Sequence, residues 1–506
     1  MDPAKRILLN TVVQYSRSVL NILLSLFSTR YILQALGNSD YGVFVLVGGI
    51  VSMLGFVTNA LVITTQRYIS YYWGKKKVDM VKKFFANSLC VHAFVSLLLL
   101  VVLFMLRDVV VYNFLNIPAD RIVAACKTYD ITVFLLVVTI MSAPYKALFI
   151  AHENITYISL VEVLDGFIKL AAALFVLTAS VDKLILYAVL MLAIQLFNIG
   201  ALAIYAVIKY EEAKVFAVYR YVDKKCMQQL IGFAGWSTYG MGAIVVRNQG
   251  IQWLLNTSFS TMINAAYGIA MQVYGSISFV SSSVLNAMNP QIMKAEGEGN
   301  RDKMLFLSEM ASKYSTMLLS LIVIPLIMEM PSILSFWLSD VPESADMFCR
   351  IILIGFIADQ STYGLNVTNQ AIGRIKVYTL LMYTPKLLVL VPVFFLLRDG
   401  ATPFCVMLVY LGSEVLVSFM RIPYIKYMCG LGIGKYMKDV ILPLLPLIVF
   451  EMTIGYLCVK VIDMPLRFLL TVPLSMVCGC FVTWNFSLTK REKDYVYSLV
   501  RRNVKK

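Results

Sequence analysis

The chain has 506 residues, 59% of them hydrophobic and only 14% charged, with a net charge of +15. An ordinary soluble protein is about a quarter charged, and a water-soluble chain has no means of hiding this much apolar surface, so composition excludes that class. The apolar residues fall instead into stretches longer than the roughly 20 needed to cross a bilayer.

In chain order the pattern predicts an all-α membrane protein of about fourteen spans: residues 8 to 36, 41 to 69, 84 to 106, 123 to 151, 155 to 178, 182 to 208, 230 to 257, 262 to 290, 307 to 330, 348 to 372, 377 to 397, 403 to 428, 440 to 462 and 466 to 488. The first is too long, and too polar on one face, for the apolar region of a signal peptide, and is expected to be retained. That face carries Asn10, Gln14, Arg17, Asn21, Ser25 and Ser28 at spacings of three and four. Arg17 is its only charge. A guanidinium at the centre of an inserted helix costs about 2.5 to 3.5 kcal/mol, so Arg17 is expected to face protein or a water-filled cavity.

The second span has Gly48, Ser52, Gly55, Asn59 and Gln66 on one face and leads into the basic loop WGKKKVDMVKK, Trp73 to Lys83. In the fifth span Glu162, Asp165 and Lys169 are one turn apart, with Lys169 placed at i+4 to neutralise Asp165. The basic connector Lys209 to Lys225 precedes the seventh span, which carries Arg247. The eighth shows a stripe of Gly268, Gln272, Ser276, Ser283 and Asn286, and the tenth one of Asp359, Tyr363, Asn366 and Gln370. Each stripe also has a plain packing reading, small and amide residues joining helices and each arginine pairing with an internal acid. Arg30, Arg67 and Arg350 fall near predicted span ends, where snorkelling to the interface is the default.

With the N-terminus inside, the inner segments hold about 28 Lys and Arg and the outer loops about five, so both ends are expected in the cytoplasm. The charge then reads as a solvated inner-leaflet face, with no nucleic acid required. The nine cysteines lie within or beside spans and read as small apolar residues. Only two histidines are present, His92 and His152, and no catalytic motif is found. The outer loops, longest around 107 to 122 and 331 to 347, leave little room for the external chemistry of glycosyltransferases, polymerases or ligases. No enzyme is expected.

A repeat of about 225 residues organises the chain. DYGVFVLVGGIVSMLGFV from Asp40 is mirrored by AYGIAMQVYGSISFV from Ala266; FLNIPADR (Phe114 to Arg121) by FWLSDVPESAD (Phe336 to Asp346); ALFIAHENITYISLV (Ala147 to Val161) by VTNQAIGRIKVYTLLM (Val367 to Met382). Both halves enter the membrane in the same orientation, so the repeat is parallel. It predicts an N-lobe over 1–229, a C-lobe over 230–429, and a pair of extra helices with a basic tail over 430–506. Helices one, two, seven and eight are expected to line a cavity.

The opening pattern is a polar first helix ending in RYILQALGNSDYG (Arg30 to Gly42), a long second helix running to QRYIS (Gln66 to Ser70), and a basic inner loop. It resembles the polysaccharide transporters of the multidrug, oligosaccharidyl-lipid and polysaccharide exporter (MOP) superfamily, over residues 1 to about 430. It is similar above all to bacterial Wzx-type O-antigen flippases; lipid II flippases of the MurJ type share the fourteen-helix count. The resemblance implies a monomeric inner-membrane flippase without a cofactor. Such a protein moves undecaprenyl diphosphate-linked oligosaccharide to the periplasmic leaflet for lipopolysaccharide and other surface polysaccharide, by alternating access with coupling to H+ or Na+, among membrane lipids and other polysaccharide-assembly proteins.

A lipid diphosphate with its hydrated sugar requires cations and polar surface in a low-dielectric shell. Arg17 and Arg247 are the expected diphosphate contacts, since the repeat places Arg247 one turn from the counterpart of Arg17, and an arginine fork holds two oxygens at once. Gln14, Asn21, Asn59 and Gln272 complete the expected substrate set. Asp165, Glu162, Lys169 and Asp359 are the candidate ion-coupling groups. A drug exporter of the same superfamily is the alternative, separable by uptake of a cationic dye, and a non-transporting assembly scaffold is a third reading.

Overall fold

The computed structural model describes residues 3–115, 117–214, 218–259, 261–338, 341–462, 464, 466–489 and 492–493. The side chains of 3–15, Gln14 among them, lie outside that description, as does most of the tail from Lys490 to Lys506. Every described element is helical, and every predicted span falls on helix.

The chain runs through α1 (Pro3–Ser52), α2 (Gly55–Gly74), α3 (Val78–Asp108), α4 (Ile122–Ala151), α5 (Ile155–Thr178) and α6 (Lys183–Lys209). It continues through α7 (Lys224–Ser258), α8 (Thr261–Gly297), α9 (Arg301–Met328), α10 (Met330–Trp337), α11 (Ala345–Gln360) and α12 (Tyr363–Ile372). The last helices are α13 (Ile375–Leu388), α14 (Leu390–Arg398), α15 (Pro403–Cys429), α16 (Ile433–Tyr436), α17 (Leu445–Val461) and α18 (Phe468–Val482).

The boundary between the first and second predicted spans falls at Gly37, inside α1, and the differences from the prediction are breaks within spans, the second span being broken at Met53 and Leu54. A straight α1 would be about 75 Å long, far more than a bilayer. Gly37, at φ 73 and ψ 170, divides it, a backbone position that glycine takes without the Cβ clash other residues meet. The tenth span is split at Ser361 and Thr362 into α11 and α12, and the eleventh at Val389 into α13 and α14. The outer stretch 331–347, read as a loop, contains α10. Asp182 caps α6 by accepting from the Leu184 and Ile185 amides at 3.1 and 3.2 Å.

Eight helices are long and apolar enough to cross a membrane among the described residues, or nine if the bent pair within α8 counts as one. Phe94, Met105, Ile208 and Val477 are each more than 60% exposed, a surface that would drive aggregation in water and that lipid accommodates. The chain is a multi-pass membrane protein.

Two compact units divide it. One spans Leu8–Met241, the other Gly242–Lys506 with Met1–Ile7. The first is cored by Ile69, Phe85, Phe149 and Ala206 at one end and by Ile32, Ala173 and Val176 elsewhere. In it, two of the sequence motifs meet: the Arg121 fork of FLNIPADR donates to both carboxylate oxygens of Asp40 in GNSDYG, at 2.7 and 2.6 Å, and to Asp182 at 3.0 Å. The second unit is cored by Tyr267, Leu319, Phe348 and Met407. There, α17 and α18 are fastened to α9 by two ion pairs. Arg467 Nε donates to both oxygens of the fully buried Glu329 at 2.9 and 3.0 Å, and Lys313 Nζ and Tyr314 OH donate to Glu492 at 2.9 and 2.8 Å.

Candidate functional site

Inside the first unit lies a cavity of about 620 Å³ whose polar wall is drawn from five helices. Asn21 and Gly48 of α1, Thr58 and Asn59 of α2, Thr132, Thr139 and Lys146 of α4, Glu162 and Asp165 of α5, and Gln195 and Asn198 of α6 contribute to it. Glu162 is the hub. Its carboxylate accepts from Arg17 Nη1 on one oxygen and from Lys146 Nζ on the other, at 2.6 Å for the lysine. One turn along α5, Asp165 pairs with Lys169 at 2.7 Å and accepts from Asn198 Nδ2 at 2.7 Å. Gly166 lets α1 and α5 approach closely, since a Cβ there would lie 2.8 Å from Leu24 and 3.1 Å from Asn21 Oδ1. Three cations face two carboxylates. The pairs are partly open, with Arg17 21%, Glu162 29% and Lys146 41% exposed.

The second unit holds a cluster of the same tally, but closed. Arg247 of α7 donates through Nη1 to Glu414 of α15 and through Nε to Asn248 Oδ1 at 3.1 Å, with its guanidinium 4.6 Å from the Tyr410 ring centre. Lys386 of α13 bridges Glu414 at 2.6 Å and Asp359 at 3.3 Å. Arg421 of α15 donates to Asp359 Oδ1 at 2.7 Å and to its backbone carbonyl at 3.0 Å. Buried charges with partners on every side are what a low-dielectric interior requires.

Of the residues singled out from sequence, Arg17, Glu162, Asp165, Lys169, Asn21 and Asn59 are brought to one place. Arg247 and Asp359 meet in the second cluster through Glu414 and Lys386. Arg247 was expected on an open cavity; it is 3% exposed, because Glu414 draws it inward. Gln272 is exposed on α8, and its carbonyl accepts from Ser276 at 2.9 Å. The side chain of Gln14 lies outside the described residues. Lys146, Lys386, Glu414 and Arg421 were not singled out; each is a charge inside a predicted apolar span, Lys386 the lone one in its span, which was the available signal.

Arg67 needs a correction. It was read as snorkelling from a span end, but α2 continues to Gly74 and Arg67 is 7% exposed, its guanidinium 4.3 Å from the Tyr68 ring centre and 5.6 Å from that of Phe233. The aromatic faces take the place of interfacial water. The connector after α6 is docked as well, since His152 Nε2 lies 2.8 Å from Glu212 Oε1 and Asn87 joins Tyr221 O and the Asp223 amide at 2.9 and 3.1 Å.

Helices in two units, each with a three-to-two cluster of basic and acidic side chains, define a polytopic membrane protein with charged interiors. No protein-family profile and no curated protein matches the sequence. Solved structures do match the fold. A MATE transporter in its straight conformation superimposes with a TM-score of 0.72 at 12% identity, over 87% of this chain and 98% of its own. A MOP superfamily transporter from Pyrococcus furiosus, described as having a binding pocket of reverse polarity that suggests a different function, gives 0.72 at 12% identity over 86% and 97%. An outward-facing multidrug resistance MATE family transporter of the MOP superfamily gives 0.68 at 12% identity over 87% and 97%. The chain has the fold of the MATE transporters of the MOP superfamily.

Proposed function

We propose that the chain is a transporter that moves an anionic lipid-linked oligosaccharide, of the undecaprenyl diphosphate class, across the bacterial inner membrane by alternating access, with both termini in the cytoplasm. The observation that carries this reading is the charge cluster at the cavity of the first unit: Lys146, Glu162 and Asp165 line the wall among hydroxyls and amides, and Arg17 and Lys169, paired with the two acids, bring the cluster to three cations against two carboxylates. An arriving diphosphate competes with Glu162 for Arg17 and Lys146, because its oxygens accept the same donors. Glu162, released from its two cationic partners, is then the candidate coupling group at the same place, so anion binding and ion coupling meet at one carboxylate.

The test is translocation of a fluorescent lipid diphosphate oligosaccharide by purified protein in proteoliposomes. Arg17→Ala and Lys146→Ala should each cut the rate strongly, and Arg17→Lys should restore part of it, keeping the charge without the fork. An ion-coupled multidrug exporter is the second reading, favoured by the two carboxylates on the cavity wall, which suit a cation. Transport of a cationic dye that survives Arg17→Ala, with no lipid diphosphate moved by the parent protein, would select it.

A further inference from the structure

Glu451 sits in the middle of α17 with none of its surface exposed, and neither carboxyl oxygen has a hydrogen-bond partner among the described residues. The packing is built around it. On α18, Gly479 leaves a notch that the carboxyl fills, since a Cβ at 479 would lie 2.3 Å from Glu451 Oε1 and 2.7 Å from Leu321 Cδ2 of α9. Thr471 and Ser475 precede Gly479 at four-residue spacing on the same face of α18, both fully buried. The hydroxyls of Ser475 and of the buried Ser320 on α9 are also without partners. One turn along α17, Gly455 closes on Met328, so the two helices are in tight contact there.

The charged and titratable groups on the packed elements do not answer the carboxyl. From α9, Lys313 and Glu329 stand eight residues either side of Leu321, about 12 Å along the axis, and are already paired with Glu492 and Arg467. α18 offers Cys478 and Cys480, and α17 itself Cys458 and Lys460. A carboxylate buried between packed helices, with no paired cation and no hydrogen bond among the described residues, is destabilised far more than a neutral carboxylic acid in the same place.

We propose that Glu451 is a proton-binding site: the packing of α17 and α18 on α9 holds it as a neutral acid, and release of that proton to water leaves a carboxylate that loosens both helices from α9. The step is a plain acid dissociation, one proton and no other reactant. It involves a different unit from the cavity above and is independent of which substrate is carried.

The purified full-length protein in liposomes, treated with dicyclohexylcarbodiimide, an apolar reagent that modifies protonated carboxyls, tests this by mass spectrometry. Modification of Glu451 at neutral pH, lost as pH is raised, is the expected result, and Glu451→Gln abolishes it. Backbone hydrogen exchange across α17, corrected for intrinsic rates, should rise with pH in the parent protein and stay flat in Glu451→Gln, which mimics the neutral form. Absence of modification at neutral pH, or the same exchange profile in both proteins, overturns the proposal.

Discussion

Arg17 and Arg247 carry the same group into spans related by the repeat, yet their surroundings differ. Arg17 keeps a fifth of its side chain open and shares Glu162 with Lys146, whereas Arg247 is closed in by Glu414, Asn248 and Tyr410. Each acid keeps a lysine when its arginine is removed, but Lys386 is shared between Glu414 and Asp359, and truncating Arg247 in the closed site leaves a void where the half-open Arg17 would not. Arg247→Ala should therefore lower thermal stability in detergent by several degrees and reduce abundance, while Arg17→Ala leaves the melting curve nearly unchanged because Lys146 still neutralises Glu162. A thermal shift series checks both; equal losses would remove the distinction. The sequence exposed these cations because a charge within an apolar run stands out. It did not expose their partners, since a contact between α7 and α15 leaves no trace in the period of either helix.

At the scale of elements, the apolar runs made the long helices legible, while the short α10 and α16 and the breaks within spans were not. Gly37 breaks α1 where the polar GNSD segment had separated the first two predicted spans, whereas the breaks at Met53–Leu54, Ser361–Thr362 and Val389 fall inside predicted spans, where backbone geometry decides. The connector between α6 and α7 read as a basic tether from its lysines, yet its described turns are held to α3 and α4. Burial opposes ionisation of Glu212 there, but the hydrogen bond from His152 and a backbone amide more than offset it, leaving its pKa below the ordinary carboxylate value. A group depressed in this way stabilises docking at and above the ordinary carboxylate range, and the contribution is lost as pH falls through the lowered value. Hydrogen exchange at Glu211–Ala213 should thus be slow at neutral pH and quicken only on strong acidification. In Glu212→Ala it should be fast throughout, and an unchanged acid step in that variant would assign the docking to other contacts.

At the scale of the molecule, the repeat is legible in the sequence, and each unit holds a buried or half-buried cluster of three cations and two acids. It is not a copy in detail. Asp40, which the Arg121 fork grips, aligns with Ala266, so the second unit lacks that clasp. The inner placement of the basic loops is testable directly: cysteines at Lys76 and Lys224 should resist an impermeant thiol reagent added outside intact cells and react once the membrane is opened. Labelling from outside would invert the topology. The substrate itself is the least legible part, because the residues that define the fold are packing residues and carry no sugar chemistry.

In the proposed transport cycle, the uneven tally in the first unit would tie transport to membrane voltage. With Arg17, Lys146 and Lys169 charged against Glu162 and Asp165, the cluster at the cavity holds one positive charge in excess. A site that alternates between the two faces carries that charge through the field, worth about 2.3 kcal/mol per 100 mV for a full crossing. With the cytoplasm negative, the empty site is drawn inward, to the side where an undecaprenyl-linked anion would be loaded. The bound anion cancels or reverses the pull, so the same potential that returns the empty carrier favours outward passage of the loaded one. Charge movement recorded on a supported membrane should then change with substrate and disappear in Lys146→Gln, where the excess is gone.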